Sequence, residues 1–304
     1  MPQREDGNGR YKHEQYSAAI VRAKFGDAIK DHPLNANYGL TADNVAALLE
    51  GSAEAKQAVF WRELIDGQMD ADRMDYLLRD SHHTGVENGR FDFRRLVTTI
   101  QAIPGPEESG PRIGVSEGGI HSAESLVLAR FFMFTQVYFH KTRVAYDIHL
   151  RGALKQMLPN GSFPPPTEQR IDEYLGWDDW KVLGALAAGE GGEHGERLAS
   201  RNHFREVFHT REVPAQEDLE EYEQLRESLG ELVAAEESAE KSWYKTGKPD
   251  IPVAGSAKPR TIQPLSKFSS VVKNMEANRQ RLVFTRPECL EEARKRKAKF
   301  FEGA

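Results

Sequence analysis

The stretch from about Ser122 to Leu150 constrains this chain more than any other. Over its middle, Leu126, Val127, Leu128, Phe131, Phe132, Met133, Phe134, Val137, Tyr138 and Phe139 leave no wide polar face. A helix built from it has to be covered on most sides by other elements. The rest of the sequence supplies suitable partners. Apolar residues recur at spacings of three and four, as in Tyr16, Ala19, Ile20 and Ala23, or Val45, Leu48 and Leu49, while alternating runs are rare. That period predicts helices, with Ser52 capping one that runs to about Ile65. The expected fold is mainly α, a helical bundle with minor β elements.

Proline, glycine and serine punctuate the bundle. PGPEESGPRIGVSEGG (104–119) predicts an irregular loop with one small strand at Arg112 to Val115. PNGSFPPPT (159–167) predicts a break, which places a subdomain boundary near 160 and divides the chain into 1–160 and 161–304. Thr167 is expected to cap the next helix, and Trp177, Trp180, Leu183 and Leu186 follow at helical spacing as core anchors. Residues 219–229 predict a surface helix, and 243–266 are Pro/Gly-rich and predicted extended. RLVF (281–284) predicts a strand, followed by a helix from about Pro287 that carries Arg294, Lys295, Arg296, Lys297 and Lys299.

Composition narrows the function classes. With 41 Lys and Arg against 47 Asp and Glu, the chain of 304 residues carries a formal charge of −6. There is no global basic field of the kind that drives non-specific nucleic-acid binding. Cys289 is the only cysteine, so intramolecular disulfides and cysteine-built zinc sites are excluded, and a reducing cytoplasm is the expected compartment. No apolar run approaches the roughly 20 residues of a membrane span, so no membrane partner is expected.

DADRMDYLLRDSHHTGVENGRFD (70–92) holds the densest chemistry. At 100° per residue, Met74, Leu77, Leu78 and Ser81 fall on one side of a helix. Asp72, Tyr76, Arg79, Asp80 and His83 fall within one arc on the other. His82 and His83 point about 100° apart and cannot chelate one ion together. Cys289 has no evident activating partner.

The pattern DxDRxDYxxRDSxxTG followed by RFD, with KHEQYS at 12–17, resembles the HD-domain phosphohydrolases. Within them it resembles the bacterial dGTP triphosphohydrolase-like proteins and their animal relative, the dNTP triphosphohydrolase that follows a sterile alpha motif. ARFFMFTQVYFHKTRVAYD (129–147), WDDWKVLGAL (177–186) and RNHFREVFHT (201–210) extend the resemblance in the same order over nearly the whole chain. It implies an HD-domain-like bundle with a C-terminal helical subdomain. It also implies a divalent metal (Mn, Mg, Fe or Zn) held by one His, an adjacent His-Asp pair and a later Asp, which matches Asp72. Arg73 then matches a phosphate contact, and Tyr76 and Asp80 match contacts to the nucleotide sugar. His13 matches a group that protonates the leaving group or steadies the α-phosphate, and His140 matches a sugar-side histidine. Gln136 stands where some relatives place an arginine on the triphosphate. None of the ten histidines is followed by Asp, so Asp72 alone remains of the four implied ligands.

Two classes of function follow. One is an HD-type enzyme that hydrolyses nucleotides, a dNTP to deoxynucleoside and triphosphate, of which this chain is a C-terminal part. The other is a degenerate relative that binds nucleotides or mediates assembly without cleaving. A homo-oligomer is expected in both, with an anionic effector at the basic C-terminal region, where Arg279, Arg281 and Arg286 join the 294–299 run. The structural expectation is that His13, Asp72 and His140 converge on one cavity, with Gln136 and His140 one turn apart on a single helix face.

Overall fold

The computed structural model describes the chain except for residues 5, 6, 8, 52–58, 106–110, 240–249, 257–260 and 304. The described helices are α1 (His13–Lys24), α2 (Gly26–Lys30), α3 (Ala42–Glu50), α4 (Val59–Asp66), α5 (Ala71–Thr84), α6 (Phe93–Thr99), α7 (Ile120–Met133), α8 (Lys141–Met157), α9 (Ile171–Leu175), α10 (Asp179–Ala187), α11 (Gly192–Ala199), α12 (Gln216–Leu229), α13 (Ser270–Lys273) and α14 (Leu290–Glu302). The fold is mainly α, as the periodicity predicts.

Two small sheets join the helices. In the first, β1 (Ile100–Ile103) and β2 (Arg112–Ser116) pair antiparallel, β2 runs parallel to β5 (Pro252–Ala254), and β5 pairs antiparallel with β6 (Ile262–Pro264). In the second, β7 (Arg281–Thr285) is central and antiparallel to both β3 (Arg205–His209) and β4 (Ala235–Ser238). The expected strands at 112–115 and 281–284 are both present. So is extended chain within 243–266, whose residues 243–249 and 257–260 lie outside the described set.

The main core gathers Met74 and Leu77 of α5, Leu96 of α6, Val115 of β2, Leu126, Val127 and Met133 of α7, and Val253 of β5. A second cluster packs α12 and α14 over β3 and β7 through Val207, Leu225, Leu229, Val283 and Ala293. The apolar stretch is buried only in part, at Leu126, Val127, Met133 and Phe134, while Phe132 is 42% exposed, and it is not one helix. α7 ends at Met133, residues 134–138 form a π-turn in which the Phe139 amide donates to the Phe134 carbonyl at 2.7 Å, and a new helix begins after His140. His140 has extended backbone, φ −64° and ψ 134°, and its Nδ1 accepts from the Thr142 amide at 3.3 Å. The imidazole caps α8, a local signal that an apolar period cannot carry.

Three smaller expectations are also corrected. Residue 167 does not cap α9, whose preceding residue is Arg170. Trp180 and Leu183 are 83% and 59% exposed, so this part of α10 is not core. Ser52 lies outside the described residues, and the helix in its region is described from Val59.

Gly89 sets how closely α5 and α7 approach. A β-carbon there would lie 2.3 Å from the Leu77 carbonyl oxygen and 3.1 Å from Met133 Cγ. Gly89→Ala is expected to destabilise the fold by about 1–3 kcal/mol, the usual cost of overpacking, as read from denaturant unfolding.

Candidate functional site

α5 is capped by Asp70, whose buried carboxylate accepts from the Arg73 amide at 2.7 Å, so one of the free N–H groups of the first turn has a partner. It ends at Gly85, whose φ of 73° suits glycine. Between these ends the wheel holds: Met74, Leu77 and Ser81 are buried, Asp72, Arg79 and His83 are exposed, and Tyr76 and Asp80 are half-buried. Arg79 pairs with Asp75 at 2.8 Å.

What faces this arc comes from α7 and the π-turn. Tyr138 donates to Asp80 Oδ2 at 2.7 Å, and its ring meets the Tyr76 ring edge-on at 5.9 Å. Burial first, then the hydrogen bond to the Asp80 carboxylate, raises the Tyr138 phenol well above its ordinary pKa. Arg130, in the middle of α7, is 8% exposed. Its Nη1 reaches only the carbonyl and Oε1 of Gln68, at 3.4 and 3.3 Å, and among the described residues no carboxylate lies within ion-pair distance of it. Burial and then the neighbouring Arg73 pull the Arg130 guanidinium down to about 10.

Arg73 turns inward, to the Asp70 carboxylate and the Gly67 carbonyl, with Asp66 at 3.8 Å. Burial raises the Asp70 carboxyl above its ordinary range although Arg73 opposes the shift. Gln68 Nε2 is buried without a hydrogen-bond partner, and Gln68 lines a cavity of about 320 Å³ with Arg62, Asp66, Arg112 and Ile251. Two guanidiniums, a phenol and an unused amide donor therefore gather where α4, α5 and α7 meet.

The structure brings Arg73, Tyr76 and Asp80 to this cluster, with Asp72 exposed at the first turn of α5. Gln136 is exposed within the π-turn, and His140 is exposed and occupied in capping α8. The break at 134–140 separates them, so they do not share a helix face. His13 opens α1 with a side chain 83% exposed beside Glu14. α1 packs on α3 and α9, where buried Tyr16 donates to the Pro164 carbonyl at 2.7 Å. Among the described residues no hydrogen bond or ion pair joins His13 or His140 to α5.

Arg130 and Tyr138 are the residues that sequence reasoning did not single out. A lone Arg inside LVLARFFMF was a usable signal, because a charge in a helix that must be buried needs a partner or a function. Among the described residues no group of three or more His, Cys, Asp or Glu converges as a metal site. Asp72 by itself does not fit one, since a single carboxylate leaves the remaining coordination to water.

A second polar groove, of about 210 Å³, lies between α8, β3 and α14, lined by Lys141, Thr142, His203, Arg205, Glu206 and Arg294. Much of the basic run is committed elsewhere. Arg294 pairs with Glu291, Arg296 with Glu231 and Glu292, and Lys297 donates to the Val207 carbonyl at 2.9 Å.

Known proteins share this architecture. The HD-associated region matches residues 91–302, more than half of the chain. The uncharacterized protein YwfO of Bacillus subtilis is 26% identical over 294 residues, which cover 88% of this chain and 65% of that protein. The uncharacterized protein MJ1154 of Methanocaldococcus jannaschii is 42% identical over 97 residues, 31% of this chain and 21% of its own length. The chain thus spans under two thirds of the curated relatives it matches. A hypothetical protein from Aquifex aeolicus superposes with a TM-score of 0.71 at 22% identity, covering 93% of this chain and 74% of that one. A phosphohydrolase from Bacteroides thetaiotaomicron gives 0.55 at 18% identity, covering 92% and 82%. At these identities the structural likeness is one of fold. No described helix is long and apolar enough to cross a membrane. The match over 91–302 makes this chain a member of the family defined by the HD-associated region.

Proposed function

We propose that the chain forms the nucleotide-binding part of an HD-type phosphohydrolase that cleaves a dNTP to deoxynucleoside and triphosphate. The observation that most supports this is the Arg73–Arg130 pair. Asp70 pairs with Arg73 alone, the buried Arg130 guanidinium beside it reaches only Gln68, and a phosphate would supply the anion that Arg130 lacks through short charge-assisted bonds. In this reading Arg73 and Arg130 meet the phosphates, while Tyr76 and the Tyr138–Asp80 pair flank the sugar. The anionic effector of the same proposal takes the groove beside Lys141 and Arg205. The exposed apolar face of Trp180 and Leu183 supports self-association.

Calorimetric titration with a dNTP tests this reading. Arg73→Ala, with folding verified by circular dichroism, is expected to weaken binding by about 1.5–3 kcal/mol, the worth of a hydrogen bond to a charged group. Asp80→Ala is expected to change the preference between deoxyribose and ribose. Unaltered binding in both variants would return α5 to an ordinary solvated helix. Tight binding without turnover would place the chain in the non-catalytic class.

A further inference from the structure

We propose that His149 and His194 form a proton-operated latch that fastens α11 and the entry to β3 onto α8, and that opens when the pair takes up a proton. His149 is fully buried on α8. Its Nε2 accepts from the Phe204 amide at 3.0 Å, so the proton of the neutral ring sits on Nδ1. That Nδ1–H donates to His194 Nδ1 on α11 at 2.8 Å, which in turn leaves the proton of His194 on Nε2. Each of the three facing nitrogens has one role, and the donors run in one direction.

A proton added to either ring breaks this order. On His149 Nε2 it sets N–H against the Phe204 N–H. On His194 Nδ1 it sets two Nδ1–H groups against each other. The rings are closely packed: a β-carbon at Gly152 would lie 2.3 Å from His194 Cδ2, so His194 rests against the α8 backbone, and the Phe204 ring lies 4.2 Å from that of the fully buried His149.

The charged groups around the pair do not rescue the protonated form. On α11, Glu193 is held by Arg197 at 3.0 Å, with Arg286 from the end of β7 at 3.8 Å, and Arg197 also pairs with Glu288 at 2.8 Å. From the β3 side come His203, which rests on the Tyr146 ring of α8, and Arg205 beside it. Among the described residues no carboxylate lies within ion-pair distance of either ring of the pair. Burial first, then His194 and Arg197, hold His149 down at about 4. A histidine lowered in the fold contributes stability that is complete above its ordinary value of about 6.5 and is lost as pH falls toward 4.

Amide hydrogen exchange, corrected for intrinsic rates, is the test. Protection at Phe204 and along α11 is expected to fall about twentyfold between pH 7 and pH 5 in the wild-type chain, the linkage of a group that moves between those two values. His149→Gln keeps an acceptor for Phe204 and a donor for His194 without titrating, and its protection is expected to be flat over this range. Where that variant fails to fold, ring ¹⁵N shifts of the wild-type chain decide. They are expected to show His149 neutral at pH 6 with its proton on Nδ1. PH-independent protection in the wild type, or a His149 that titrates near 6.5, would overturn the latch.

Discussion

Asp70→Ala is expected to cost the fold about 3–5 kcal/mol, measured by denaturant unfolding, while Asp72→Ala two residues away stays within about 0.5 kcal/mol. Both are aspartates of one DxD element, so the contrast is environmental. Asp70 is 2% exposed, caps α5 through the Arg73 amide and neutralises the Arg73 guanidinium. Its removal leaves the Arg73 amide without a partner and a mostly buried cation without its carboxylate. Asp72 is exposed on the first turn and touches none of these groups. Equal losses for the two would mean that Asp70 is not the structural member of the pair.

Arg130→Met should move stability and binding in opposite directions. A guanidinium that is 8% exposed and reaches only Gln68 has been desolvated with little return. An apolar side chain of similar length in the same place is expected to be neutral or to stabilise by about 1–4 kcal/mol. If Arg130 meets phosphate as proposed, the same substitution removes that donor, and the dissociation constant for a dNTP is expected to rise at least tenfold, about 1.4 kcal/mol. Thermal unfolding with and without ligand reads both effects. A large loss of stability in the unliganded variant would show that Arg130 serves the core and not a ligand.

The parts of this fold legible in the sequence were those set by period. The buried positions of the 126–134 stretch, the polar arc of α5 and the strands at 112–115 and 281–284 each follow from which side of an element is apolar. What escaped depended on single local interactions. The π-turn after Met133 leaves apolar spacing intact while rotating everything that follows, so Gln136 and His140 were placed on a face the chain never forms, and Tyr138 took the contact with Asp80. His140 was legible as a chemical group but not as a helix cap. The Trp180 and Leu183 face has the spacing of core, and its exposure depends on which neighbours reach it. Asp70 was hidden by its role, since a helix wheel begins after the cap.

The account rests on the Arg73–Arg130 cluster taking phosphate, and a thermodynamic cycle measures that alone. Its two arms are Arg130→Met and removal of the phosphates from the ligand, with a deoxynucleoside triphosphate compared with its deoxynucleoside by calorimetry. If Arg130 meets phosphate, the substitution weakens triphosphate binding at least tenfold and leaves nucleoside binding unchanged, a coupling of about 1.4 kcal/mol or more. A coupling near zero, with both ligands affected alike or neither affected, would contradict the account.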